Sequence, residues 1–127
     1  MVGNPVKEKS FSFAVRIIKL AKWLRKNNHF ELSQQIIRSG TSIGANVEEA
    51  QAGQSRKDFI AKMAIASKEA RETNYWLRLF VQSGVLSDKM SDSMISESDE
   101  IVKLLTSIVK TSQSTKIIKN SKLRIKN

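Results

Sequence analysis

Between Gln34 and Phe80 the chain reads QQIIRSGTSIGANVEEAQAGQSRKDFIAKMAIASKEARETNYWLRLF. Two long apolar stripes at helical spacing run through or into this segment, and they constrain the fold more than any other feature. In the first, Leu32, Ile36, Ile43, Val47 and Ala50 fall in an a/d-like pattern, with Ser39 filling the gap. In the second, Phe59, Met63, Ala66, Ala70, Thr73, Leu77 and Phe80 alternate at spacings of four and three. The weak point is SGTSIGA, because each helical glycine costs up to about 1 kcal/mol against alanine. Either the helix breaks at Gly40, or it continues and its small residues admit a neighbouring backbone. Gly40 and Gly44 share one face and the periodicity carries across them, so the continuous helix is expected.

The flanks are helical in pattern too. Phe13, Ile17, Leu20 and Leu24 mark a first helix from about Phe11 to Lys26. Ser10 or Ser12 is the expected cap, since a hydroxyl accepts from a free first-turn N–H. Asn27, Asn28 and His29 form a break, and the second helix is expected from Glu31 or Leu32 to about Ala52. Ser55-Arg-Lys-Asp58 starts the third in capping-box style. That helix runs to about Ser83, with Gly84 as the C′ glycine. A fourth starts at Ser87 or Asp88, carries Met94, Ile101, Leu105 and Ile108 with Val102 and Val109 beside them, and fades near Thr111; the polar, basic remainder is read either as disordered when free or as an extension of the helix when bound. The expected organisation is a loose segment over 1–9, a bundle over 10–111 and a basic tail over 112–127. Four amphipathic helices on short connections predict an all-α, up-down-up-down four-helix bundle.

The 127 residues suit one domain. With no cysteine, disulfides and thiolate metal sites are excluded. The first residues, MVGNPVKEKS, do not read as a secretory signal, and no run approaches the roughly 20 apolar residues that span a bilayer. A soluble, cytoplasmic protein is expected. The net charge of +10 favours polyanions as partners. It is unevenly placed: seven cations and no acid lie from Lys103 onward, so the other 15 face all 12 acids.

Catalytic patterns are missing. The one histidine, His29, falls in an expected loop, and Glu48, Glu49, Glu69 and Glu72 have no imidazole beside them as a di-metal bundle requires. Nucleophile–histidine arrangements lack a base, and no glycine-rich phosphate loop follows a strand. The reading is of no enzyme, no cofactor and no metal. At 75–81 six of seven residues are apolar, pointing all round the helix. A second apolar face asks for a second partner, so Tyr75, Trp76, Leu79 and Phe80 are the expected oligomer interface. The alternatives are a central helix in a monomer and base stacking on Trp76 or Tyr75. Ser42, Asn46 and Glu49 lie on one face as a polar line. They are read as structural groups bonding a facing helix, with Lys68, Arg71 and Tyr75 as partners; a ligand site is the alternative.

Residues 10–110 resemble the four-helix-bundle proteins encoded in intervening sequences of bacterial large-subunit ribosomal RNA genes. The likeness is carried by Ser42-Ile43, Asn46, Val47 and Glu49, by Ser55-Arg56 and Asp58-Phe59, and by Lys68-Glu69-Ala70-Arg71-Glu72-Thr73 running into Tyr75-Trp76-Leu77. Phe13 and Val15 through Leu24 agree as well. Gly44 stands where many relatives have proline, and Ala50 where many have glycine. The resemblance implies a homopentamer. It also implies kinship with accessory proteins of diversity-generating retroelements, basic pentameric barrels that associate with nucleic acid and a reverse transcriptase. Most members of the main family have no established activity.

The function expected from these observations is non-enzymatic RNA or DNA binding by an oligomer through two basic sets. One is Lys19, Lys22, Arg25 and Lys26; the other is Lys116, Lys119, Lys122, Arg124 and Lys126. The alternative is a protein-interaction scaffold, or an accessory subunit of a nucleic-acid enzyme. A third reading sets Ile117, Ile118, Leu123 and Ile125 among the tail lysines as an anionic-membrane binder; a membrane is not expected as partner.

Overall fold

A computed structural model describes the backbone of residues 4–126 and the side chains of residues 4–114. Four helices follow one another: α1 (Pro5–Lys26), α2 (Phe30–Gln51), α3 (Arg56–Gln82) and α4 (Asp88–Lys126). Each packs against its sequence neighbours, α4 closes back on α1, and the two diagonal pairs do not approach. This is the four-helix bundle that the apolar stripes predict. Phe13, Ile17, Leu24, Ile36, Ile43, Val47, Leu77, Phe80, Ile101 and Leu105 fill its centre without exposed surface, apart from a trace at Ile101. Among the described residues no helix is long and apolar enough to cross a membrane.

The start of α1 corrects the sequence reading. Residues 5–9 are helical, not loose. Asn4 is the cap, its side chain accepting from Lys7 N at 3.2 Å, and Pro5 occupies the first helical position. Proline suits that place because its missing N–H would be unpaired there anyway. Val6 and Ser10 then extend the buried stripe by two turns. Neither Ser10 nor Ser12 caps: Ser10 is buried inside the helix and donates to Lys7 O at 3.2 Å. The far end differs as well. The α4 backbone stays helical to Lys126 instead of fading near Thr111, since no glycine or proline follows Gly84.

The glycines of α2 show why the helix runs on through SGTSIGA. A Cβ added at Gly40 would lie 2.7 Å from both Cγ atoms of Ile17, and one at Gly44 would lie 3.3 Å from the Ser10 carbonyl oxygen. Close approach of α1 recovers in packing what the glycines lose in propensity. Farther along, Ser33 Oγ donates to Ala21 O at 2.9 Å across the same seam. The α3 cap is as expected, with Asp58 N donating to Ser55 Oγ at 3.1 Å. Gly84 takes φ +80 after the end of α3, the left-handed conformation of a C′ glycine.

Candidate nucleic-acid interface

Phe11, Val15, Ile18, Lys22, Arg25 and Lys26 follow one another at helical spacing on α1, turned away from the core. The N-terminal half of this face is apolar. Phe11 is 65% exposed, with Val15 and Ile18 near 40%. Ile37, on the adjoining helix α2, is also exposed. The C-terminal half is cationic: Lys19, Lys22, Arg25 and Lys26 are all exposed. Among the described residues none of these four pairs with a carboxylate. The acids that make ion pairs are engaged elsewhere, each with a different helix. Glu48 meets Lys7 at 3.6 Å and Glu100 meets Lys9 at 3.1 Å. Glu97 pairs with Arg16, and Glu69 and Glu72 with Arg38.

The cationic half ends in a tight turn. His29 N donates to Leu24 O at 2.8 Å, and Asn28 takes φ +66. Asparagine tolerates that left-handed conformation better than most residues. Just past it an open depression of about 280 Å³ is lined by Asn28, His29, Phe30, Glu31 and Leu32. Phe30 is 53% exposed. Sequence reasoning did not single out Phe11, Phe30 and Ile37 as surface residues, because their exposure depends on how the helices pack.

The expected oligomer interface is only partly at the surface. Tyr75 and Leu79 are exposed, while Trp76 is half-buried, edge-on to Tyr75 at 5.3 Å, its Nε1 donating to Glu72 Oε2. Phe80 is wholly buried and leaves the set, because it continues the inward stripe of Thr73 and Leu77. The polar line is corrected too. Ser42 Oγ donates to Arg38 O and Asn46 Nδ2 to Ser42 O, both within α2, and Glu49 is exposed. Arg71 Nε likewise bonds its own helix at Ser67 O. A short polar side chain one turn on reaches the preceding carbonyl more easily than a facing helix. The link between α2 and α3 is Arg38, whose long guanidinium spans to Glu69 and Glu72. The second basic set, Lys116, Lys119, Lys122, Arg124 and Lys126, has side chains outside the described residues. Among the described residues no three His, Cys, Asp or Glu side chains converge as a metal site.

The molecule is thus an all-α four-helix bundle with an outward face divided between apolar and cationic residues. The chain belongs to the 23S rRNA-intervening sequence protein family, whose description matches residues 4–107. It is similar to a crystal structure at 1.70 Å of a protein with unknown function from the S23 ribosomal protein family of Bacteroides thetaiotaomicron VPI-5482. The two share 52% identity over 83% of this chain and 98% of the other, with a TM-score of 0.80. No curated protein matches the chain significantly.

Proposed function

We propose that the chain is a non-enzymatic, cytoplasmic homopentamer that binds RNA or DNA through phosphate contacts. The observation that carries the reading is the group of four exposed cations at one end of α1 with no ion pair among the described residues. Cations left unpaired in one place attract a polyanion without needing base recognition. Support for self-association comes from two unlike apolar surfaces: Phe11, Val15 and Ile18 on α1, and Tyr75 and Leu79 on the diagonally placed α3. Unlike surfaces pair head to tail, and such contacts close into a ring when the rotation between copies divides a full turn. Five is the number that the family resemblance implies. Each chain adds +10, so a ring would present many phosphate contacts at once.

Light scattering on nuclease-treated protein in high salt tests the ring; a mass near five times 14.3 kDa is expected. Titrating labelled RNA between about 50 and 200 mM salt tests the contacts, with a steep fall in affinity expected. Affinity that ignores salt would sink the phosphate mechanism, and a clean monomer would sink the ring. Deleting residues 112–127 assigns the contacts: retained binding places them on α1, lost binding in the tail.

A further inference from the structure

We infer that the turned end of the α1–α2 hairpin binds a single-stranded segment of nucleic acid, with Phe30 as the stacking surface and Lys22, Arg25 and Lys26 as phosphate contacts. The inference rests on the nucleic-acid reading above and adds strandedness and a base-contacting residue to it. Phe30 opens α2 more than half exposed and is not among the hydrophobic residues packed on the core. Nothing in the cap needs it, since no side chain caps α2. A single exposed aromatic is ordinary; this one has two further features beside it.

The first is the open depression of about 280 Å³ that Phe30 helps to line with Asn28, His29, Glu31 and Leu32. The second is charge. Ser33 bonds Ala21 across the hairpin, so Phe30, nearly one turn closer to the bend, comes level with the last turn of α1, where Arg25 and Lys26 stand. Three acids belong to this end of the bundle: Glu31 in the first turn of α2, and Asp88 and Asp92 in the opening turns of α4. None of them makes an ion pair with the α1 cations. Cations that track a backbone beside an aromatic ring that takes a base face are the two components of single-strand binding. A duplex keeps its bases stacked on each other and offers this site only phosphates, so the ring discriminates between the two forms.

The test compares the full chain with Phe30→Leu, which keeps apolar bulk but removes the π face, and Phe30→Trp, which enlarges it. Binding of a fluorescein-labelled 20-nucleotide oligoadenylate is measured by anisotropy beside a 20-base-pair RNA duplex, with oligodeoxyadenylate as the DNA arm. Phe30→Leu is expected to weaken single-strand binding on the order of ten-fold while the duplex changes less than about two-fold. Phe30→Trp is expected to hold or tighten it. Equal losses on both forms, or no loss, overturn the inference while leaving phosphate binding intact. A change in mass by light scattering overturns it as well, by assigning Phe30 to a contact between copies. Wild-type protein that binds neither form removes the nucleic-acid reading itself.

Discussion

Phe11, Val15 and Ile18 share an outward face of α1 with Lys22, Arg25 and Lys26, yet the two halves of that face have opposite chemistry. Behind both halves lies the same seam. The apolar half sits over Ser10 and Ile17 against Gly44 and Gly40, and the cationic half over Ala21 against Ser33. Packing of α1 on α2 therefore does not require either surface. Water would accept polar residues at Phe11 as readily as at Lys22, and the bundle would still close. Under the proposed function the apolar half would meet another apolar surface and the cationic half an anion. A change of side-chain chemistry over a constant interior separates what the fold needs from what partners need.

Four variants test this division, in falling order of effect. Phe11→Glu with Ile18→Glu puts charge into the apolar half, and the assembly is expected to fall from about five chains to one by light scattering. Thermal melting of the bundle should persist, since both side chains are exposed; an unchanged mass breaks the assignment of that half. Neutralising Lys19, Lys22, Arg25 and Lys26 to glutamine should weaken RNA binding on the order of a hundred-fold at low salt. The same variant should flatten the log–log salt slope by roughly three units, at about 0.7–0.9 per lost contact, with the mass unaltered. Gly40→Ala disturbs the shared interior, because its methyl would meet Ile17 at 2.7 Å. Overpacking of this kind costs about 1–3 kcal/mol and should appear as a lower Tm in calorimetry. Ser39→Ala is the smallest change and has the opposite sign. Ser39 Oγ is buried with no hydrogen-bond partner among the described residues, so its removal should stabilise by about 1 kcal/mol in urea unfolding. A loss of stability there would mean that the hydroxyl is bonded after all.

Much of the bundle was legible because its signals are local. The stripe through Ile36, Ser39, Ile43 and Val47 foretold a helix that continues past its glycines, and Gly84 foretold the end of α3. The start of α1 was missed although it was equally local. Asn4-Pro5 is a helix-start pair, and Val6 lies seven residues before Phe13 on the same stripe, but Ser10 and Ser12 offered competing hydroxyls nearer the dense apolar run. The candidate site was half legible. Cations at Lys19, Lys22, Arg25 and Lys26 could be placed from spacing, because long charged side chains seldom go inside. Which carboxylates remain to meet them could not. Lys9 with Glu100 joins residues 91 apart, so only the fold tells which acids are already occupied. Exposure of Phe30 was hidden for a similar reason, since it depends on how the turn sets α2 against α1.

The flanks of α1 carry one more consequence. A four-helix bundle can turn either way around its axis while keeping the same neighbours, so adjacency alone leaves handedness open. Here α1 has unlike flanks: Ser10 and Ala21 face α2, while Lys9 and Arg16 face Glu100 and Glu97 of α4. The mirror arrangement would exchange those flanks. Gly40 and Gly44 would then face α3 instead of α1, Lys9 and Arg16 would lie toward Arg38 of α2, and Glu97 and Glu100 toward Glu69 and Glu72 of α3, like charge against like. The glycines that let α1 lie close thus also choose the direction in which the whole bundle winds.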